Sequence, residues 1–333
     1  IAAKYDINFT IDAEEADRLA LSLKLLDRLC REPELGSWTG LGLAVQAYQK
    51  RCPEVIARLS ALSQQTGRRL MVRLVKGAYW DSEIKRAQVA GRPDYPVYST
   101  KPATDLSYLV CAKALIEAAP HLYAQFATHN AHTLAAVVRM ARNAGVKIEH
   151  QRLHGMGEAL YKAADDLYDG IVLRAYAPVG GHEDLLPYLV RRLLENGANT
   201  SFVHALLDER VPVEKVVTDP TDVVAAHPDR HAKIPTPTNV YGPRRKNSAG
   251  RDLSVKADRE RLAAHVAELD KLTLSAGPLI DGKVSAVDNR IDPTSRTLQV
   301  EAQIANDKLA FDEGRVTARG WPVLNLFADG HAQ

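Results

Sequence analysis

Two arginines in tandem, Arg191 and Arg192, sit well inside a helical stretch of residues 185–195, with Glu195 four positions beyond Arg191. Two guanidinium forks side by side can hold a carboxylate bidentately, which a lysine does with less geometric definition. The i, i+4 spacing gives one fork a carboxylate to orient it. On most helices such a pair is only a solvated face, so its context has to decide. A second concentration of charge is Arg73-Leu74-Val75-Lys76-Gly77-Ala78-Tyr79-Trp80. Cations on a buried apolar run are costly unless an anion faces them. The ordinary partner would be Asp81 or Glu83; the chemical alternative is an anionic ligand or an electron-rich ring, with Gly77 allowing close backbone approach.

Other strand-like runs also end in polar groups: Asp12, Gln46, Thr128-His129-Asn130, His154 and Tyr176. Any one of them is most simply a helix cap. Together they suit the mouth of a barrel, where the C-terminal ends of parallel strands converge. Competing chemistries are poorly represented. Gly40-Leu41-Gly42 lacks a third glycine and precedes its strand, so it is not a dinucleotide fingerprint. Gly155-Met156-Gly157-Glu158 reads as a tight turn. His129/His132, His150/His154 and His227/His231 have helical spacing, but none lies in an HExxH pattern and no metal site is expected. No nucleophile elbow or phosphate loop of Walker type is present.

The elements that must position these groups alternate along the chain. Apolar runs at 6–11, 43–48, 70–75, 123–128, 147–153 and 171–176 have the length and content of buried strands. Between them, Leu19, Leu23 and Leu26 form one helical stripe. Leu134, Val137, Val138 and Ala141 form another after Thr133 as a cap. Leu186, Leu189, Val190 and Leu193 form a third, stopped by Asn196-Gly197. Strand–helix repeats imply a parallel sheet. Six units suit either a doubly wound sheet or a (β/α)8 barrel. Residues 1–208 are assigned to this α/β domain and 209–250, rich in Pro, Asp, Lys and Arg, to an extended linker. Residues 251–333 are read as a helix over 254–272 and a β-rich segment over 279–304, hairpin-like with Asp292-Pro293 near its turn.

The bulk properties agree. The 333 residues are 46% hydrophobic and 25% charged, with 43 basic against 41 acidic side chains, which argues against a nucleic-acid or membrane-surface binder driven by bulk charge. Three scattered cysteines make neither a disulfide framework nor a zinc site and suit a reducing, cytoplasmic setting. No run is long and apolar enough for a spanning helix. A first residue other than methionine, leading straight into a strand-like run, reads as part of a longer protein.

From about residue 5 to about residue 220 the chain resembles the proline dehydrogenase module of proline utilization A, a family of bacterial bifunctional flavoenzymes. The stretches that carry the resemblance are IDAEEADRL, QAYQKRCP, RLVKGAYWDSEIKRAQ, FATHNAHTL, LHGMGEALY, YAPVG and YLVRRLLENGANTSF. The resemblance implies a (β/α)8 TIM-type barrel with about six of its eight units in this chain. It implies FAD-dependent oxidation of L-proline to Δ1-pyrroline-5-carboxylate, with electrons passed to a membrane quinone from a peripheral position at the inner membrane face. Carried over, Arg191 and Arg192 clamp the proline carboxylate, Glu195 orients them, and Asp12, Tyr79, Leu153 and Tyr176 line the substrate pocket. Arg73 lies beside the flavin with Gln46, Val75, Lys76, Gly77, Ala78 and Trp80. Thr128, His129 and Asn130 contact the cofactor's polar parts, and Phe202 packs near its adenine.

Two strands, and with them a substrate-contacting lysine that the family places on the second, have no counterpart here. The family's DNA-binding region and its NAD-dependent aldehyde dehydrogenase half are likewise not recognisable, although NVYGPRRKNSAGRDL is similar to the family's bridge into that half. A homo-oligomer is expected of the full-length protein. After about Pro278 the sequence is more similar to a β-rich stretch of periplasmic efflux adaptors. The rival readings are an inactive barrel segment used as a scaffold or interaction piece, since an incomplete barrel exposes sheet edges, and a different barrel enzyme acting on a carboxylate or phosphate.

Overall fold

The computed structural model describes residues 1–197, 217–228, 230–253 and 255–269, the strand segments 282–291, 298–304 and 318–320, and the single residues Pro212, Glu214 and Lys271. Residues up to Arg261 form one compact unit and those from Leu262 a second.

Six strands build the first unit: β1 (Phe9–Ile11), β2 (Leu41–Gln46), β3 (Leu70–Val75), β4 (Leu122–Ala127), β5 (Glu149–Leu153) and β6 (Leu173–Tyr176). All are parallel and lie in chain order, β1-β2-β3-β4-β5-β6. A doubly wound sheet reverses its order at a switch point; this one never does, so it curls in one sense. The curl is visible in a side chain. Arg73 on β3 places its guanidinium carbon 5.4 Å from the ring centre of Tyr176 on β6. Three strand spacings in a flat sheet would separate those strands by about 14 Å. The unit is therefore six strands of a (β/α)8 barrel, with β1 and β6 as the sheet's edges among the described residues. Phe9 and Leu173, one on each edge strand, are 49% and 39% exposed.

Helices cover the outside: α1 (Leu19–Cys30), α2 (Cys52–Thr66), α3 (Trp80–Val89), α4 (Lys101–Glu117), α5 (Ala131–Ala144), α6 (Glu158–Leu167) and α7 (His182–Gly197). Strand β2 is buried at every position, as a strand covered on both faces should be. On β3 the alternation sends Leu70, Val72 and Leu74 into the helix layer, against Leu59 and Leu62 of α2 and Tyr108 and Leu115 of α4. Arg73 faces the other way, into the barrel. The cap of α5 is Asn130 rather than Thr133: the Asn130 Oδ1 accepts the Thr133 N–H at 2.9 Å. Asparagine has the acceptor, and the extended backbone, that an N-cap needs.

Residues 230–252 run along the end of α3 and the segment that follows it. Asn247 Nδ2 donates to Gln88 O at 2.8 Å, Gly250 N donates to Gly91 O at 2.9 Å, and Arg92 holds Asp252 at 3.1 Å. Short helix α8 (Pro220–Ala226) and helix α9 (Lys256–Leu269) flank this stretch in sequence. In the second unit, β7 (Gly282–Ile291), β8 (Leu298–Ile304) and β9 (Ala318–Gly320) form an antiparallel sheet in chain order. The expected turn residues Asp292-Pro293 lie outside the described residues. No described helix is long and apolar enough to cross a membrane.

Candidate active site

The C-terminal strand ends carry the expected polar groups, and three strands contribute to one constellation. Arg73 Nη2 donates to Asp12 Oδ1, just past the end of β1, while its guanidinium faces the Tyr176 ring of β6. Arg73 is mostly shielded, with 15% of its side chain exposed, whereas Asp12 is 79% exposed. The ion pair thus stands at the rim, with the cation on its inner side. Sequence reasoning had offered Asp81 or Glu83 as the ordinary partners of the two strand-end cations. The partners are Asp12 for Arg73 and Asp105 of α4 for Lys76. Asp105 also accepts from Lys101 at 2.6 Å. Asp81 and Glu83 lie on the helix that follows, past the turn, and Glu83 takes the Ala16 N–H instead.

Burial pulls the Lys76 ammonium below its ordinary pKa, against the pull of Asp105. Burial works to raise the Asp105 carboxyl, but Lys76 and Lys101 outweigh it and hold the group ionised below the usual carboxylate range.

Gln46, 5% exposed at the end of β2, donates from Nε2 to Glu14 O at 2.7 Å and so ties the Asp12 loop to its neighbour strand. Val75 lies opposite Gln46 in the register of β2 and β3. Gly77 has φ 137°, and a Cβ there would stand 2.5 Å from the Tyr48 ring. The close approach that glycine permits is therefore to Tyr48, whose own N–H donates to Lys76 O at 2.8 Å. Ala78 is exposed, and Tyr79 half-buried just before α3. Trp80 Nε1 donates to Tyr98 O at 2.8 Å, and its ring packs with Tyr48, Tyr95 and Val97.

At the end of β4, Thr128 Oγ1 accepts the Asn130 N–H at 3.1 Å, and Asn130 caps α5. His129 Nε2 accepts the Leu153 N–H at 3.3 Å, tying that rim to β5. Leu153 itself is buried. Asp12 and Tyr176 thus both meet Arg73. Gln46 joins them through the Asp12 loop, and Thr128, His129, Asn130 and Leu153 form a second linked group. The backbones of Arg191, Arg192 and Glu195 belong to α7, but their side chains, and Phe202 entirely, lie outside the described residues.

Below the mouth is a network that sequence reasoning missed. Glu149, 2% exposed, accepts from Gln125 Nε2 at 3.0 Å, Gln151 Nε2 at 2.8 Å, and Arg174 Nε and Nη2, both at 2.9 Å. Burial works to raise its pKa, but Arg174 and the two amides outweigh it, and the carboxyl stays below its ordinary value. The available signal was four polar residues in succession, Glu149 to Arg152, on a run expected to be a buried strand. Among the described residues no cluster of His, Cys, Asp and Glu could hold a metal.

An incomplete (β/α)8 barrel with paired cations at the C-terminal ends of its strands defines a class of barrel enzyme with a charged mouth. The sequence profile of the proline dehydrogenase family matches residues 1–205, and the chain belongs to that family. It is 50% identical over 314 residues to the bifunctional protein PutA of Escherichia coli, covering 88% of this chain and 24% of that one. To the bifunctional protein PutA of Rhizobium meliloti it is 52% identical over 263 residues, covering 76% and 21%. The crystal structure of a point variant of Bradyrhizobium japonicum proline utilization A superposes with a TM-score of 0.77 at 48% identity, covering 83% of this chain and 28% of that chain. Proline utilization A from Bdellovibrio bacteriovorus, solved after inactivation by N-propargylglycine, gives 0.72 at 30% identity, covering 88% and 30%. The chain spans about a quarter of the length of the curated PutA proteins it matches.

Proposed function

We propose that this chain carries the proline-oxidising centre of a bifunctional proline-catabolic enzyme. In this reading it converts L-proline to Δ1-pyrroline-5-carboxylate using FAD and passes the electrons to a quinone. The observation that carries the proposal is the rim constellation of Asp12, Arg73 and Tyr176, drawn from three strands onto one mouth. Its donor set fits a flavin. A mostly shielded guanidinium faces the barrel interior, a half-buried lysine paired with Asp105 stands three residues further on, and amide and imidazole groups line the adjacent strand ends. Cations so placed stabilise a ring that becomes negative when reduced.

The bound flavin would supply the two-electron acceptor; the protein's residues bind and orient. Arg191 and Arg192 grip the proline carboxylate, with Glu195 holding their register on α7. Fixing that end would orient the ring carbon beside nitrogen toward the bound acceptor. Asp12, Tyr79, Leu153 and Tyr176 close the pocket around the small apolar ring. Gln46, Arg73, Val75, Lys76, Gly77, Ala78, Trp80, Thr128, His129, Asn130 and Phe202 would hold the cofactor. The test is anaerobic addition of L-proline to the flavin-loaded protein. Bleaching of the flavin band supports the reading, as does covalent loss of the band with N-propargylglycine, the compound that inactivated the Bdellovibrio relative. An unbleached, fully loaded flavin contradicts it.

A further inference from the structure

We propose that Glu83 is a positioning residue that fixes the loop carrying Asp12; the role in catalysis rests on the function proposed above. Glu83 lies in the first turn of α3 and is 2% exposed. Its Oε1 accepts the backbone N–H of Ala16 at 2.6 Å, across 67 residues of sequence. Ala16 is also 2% exposed and begins the short helical turn Ala16–Arg18 that leads into α1. The residue before that turn, Glu15, makes no side-chain cap of its own. Glu83 therefore supplies the N-terminal cap from another element, in a water-poor site.

The placement links two strand ends of the mouth. Helix α3 starts directly after the Lys76–Tyr79 turn, and Glu83 N donates to Tyr79 O at 2.9 Å. One residue thus joins the end of β3, where Arg73 and Lys76 stand, to the loop after β1, where Asp12 stands. Other ties to the loop differ in kind. Arg86 to Glu15 at 3.0 Å and Arg92 to Asp17 at 2.9 Å each have a side chain 44% or more exposed and are screened by water. Gln46 to Glu14 O and Arg51 to Ala16 O hold carbonyls. Among the described residues, Glu83 holds the buried amide of Ala16, and with it the entry to α1. Burial pushes the Glu83 carboxyl up, opposed by the Ala16 N–H and by Arg86 and Arg92.

The test combines Glu83→Ala and Glu83→Gln, alone and with Asp12→Ala, in flavin-loaded protein, with hydrogen exchange of the Ala16 amide measured with and without flavin. Glutamine keeps the acceptor oxygen, so Glu83→Gln should retain most of the Ala16 protection, and Glu83→Ala should lose it by about tenfold or more. Glu83→Ala should lower kcat/KM for proline about tenfold with Asp12 present and leave it nearly unchanged in the Asp12→Ala background, the non-additivity of two residues acting as one unit. Ala16→Pro gives a second route if Glu83→Ala does not fold. Glu15, at φ −64° and ψ 155°, already has the backbone that precedes proline, so the change removes the donor at the start of the turn, and the same non-additivity is expected. Unchanged Ala16 protection, equal losses in both Asp12 backgrounds, or Glu83→Gln as damaging as Glu83→Ala would each overturn the assignment. A wild-type protein that does not oxidise proline refutes the proposed function and leaves the exchange measurement to decide the role of Glu83.

Discussion

Replacing Arg174 with methionine should destabilise the barrel chiefly at neutral pH. Arg174 gives Glu149 two hydrogen bonds at 2.9 Å, and the Glu149 side chain is only 3% exposed. Removing one partner of a buried ion pair costs about 3–5 kcal/mol, because the remaining charge is stranded. Arg174 is itself 51% exposed, so water screens part of the pair. The amides of Gln125 and Gln151 also stay on the carboxylate. Both effects reduce the expected cost to about 2–3 kcal/mol, or about 4–12 °C in Tm for a unit of this size. In the wild type the Glu149 pKa is lowered from 4.5, so its stabilisation is present above that value and is lost as the pH falls through the folded pKa. Arg174→Met removes the partner that does most to lower this pKa, so protonation should relieve the stranded charge and the deficit against wild type should shrink as the pH falls from 7. Adding Glu149→Gln should recover much of the loss, since a neutral amide needs no counter-charge. Urea unfolding of the four proteins of the cycle is the assay. A cost below about 1 kcal/mol that does not vary with pH, with no recovery in the double variant, would refute the reasoning.

His150 lies between the rings of Phe126 and Tyr161, at 6.4 and 6.1 Å, with neither ring nitrogen partnered among the described residues. Burial lowers its pKa to about 4. The unfolded chain binds the proton first, so stability is full above the ordinary value of 6.5 and about 3 kcal/mol is lost as the pH falls to the folded value. His150→Phe should flatten urea midpoints over that window, and an unchanged slope counts against it. Gly77→Ala forces a Cβ against the Tyr48 ring at a φ that L residues rarely adopt, and should cost about 2 kcal/mol and weaken flavin retention. Normal flavin content with wild-type melting would contradict this. Arg191→Met or Arg192→Met should raise the proline KM by about tenfold to a hundredfold, the loss of a charge-assisted bond worth about 1.5–3 kcal/mol, with flavin content unchanged. Loss of flavin at unchanged KM would assign those arginines elsewhere.

The strands were legible because a parallel sheet covered on both faces writes itself as short apolar runs. β3 was placed residue for residue at 70–75. β1 proved shorter than its run, because only Phe9, Thr10 and Ile11 find partners on β2. The strand–helix pattern alone left barrel and doubly wound sheet open, since both are made of the same units; the family resemblance favoured the barrel, and the uninterrupted strand order bears it out. The charges of Arg73 and Lys76 stood out as costly on a buried run. Their partners did not, because Asp12 and Asp105 are 61 and 29 residues away, and distance along the chain says nothing about proximity at a barrel mouth. The Glu149 network was hidden for the same reason: its donors come from β4, β5 and β6. Thr133 was favoured as a cap by its position before a helical stripe, but Asn130 has the better acceptor one turn earlier.

The most direct measurement is stopped-flow absorbance of the flavin-loaded protein mixed anaerobically with L-proline, for wild type and for Arg191→Met/Arg192→Met. Proline should bleach the wild-type flavin with a rate that saturates in proline. In the double variant, with equal flavin content, saturation should shift to much higher proline. A wild-type flavin that proline does not reduce, or a double variant that saturates at the same proline concentration as wild type, would contradict the account.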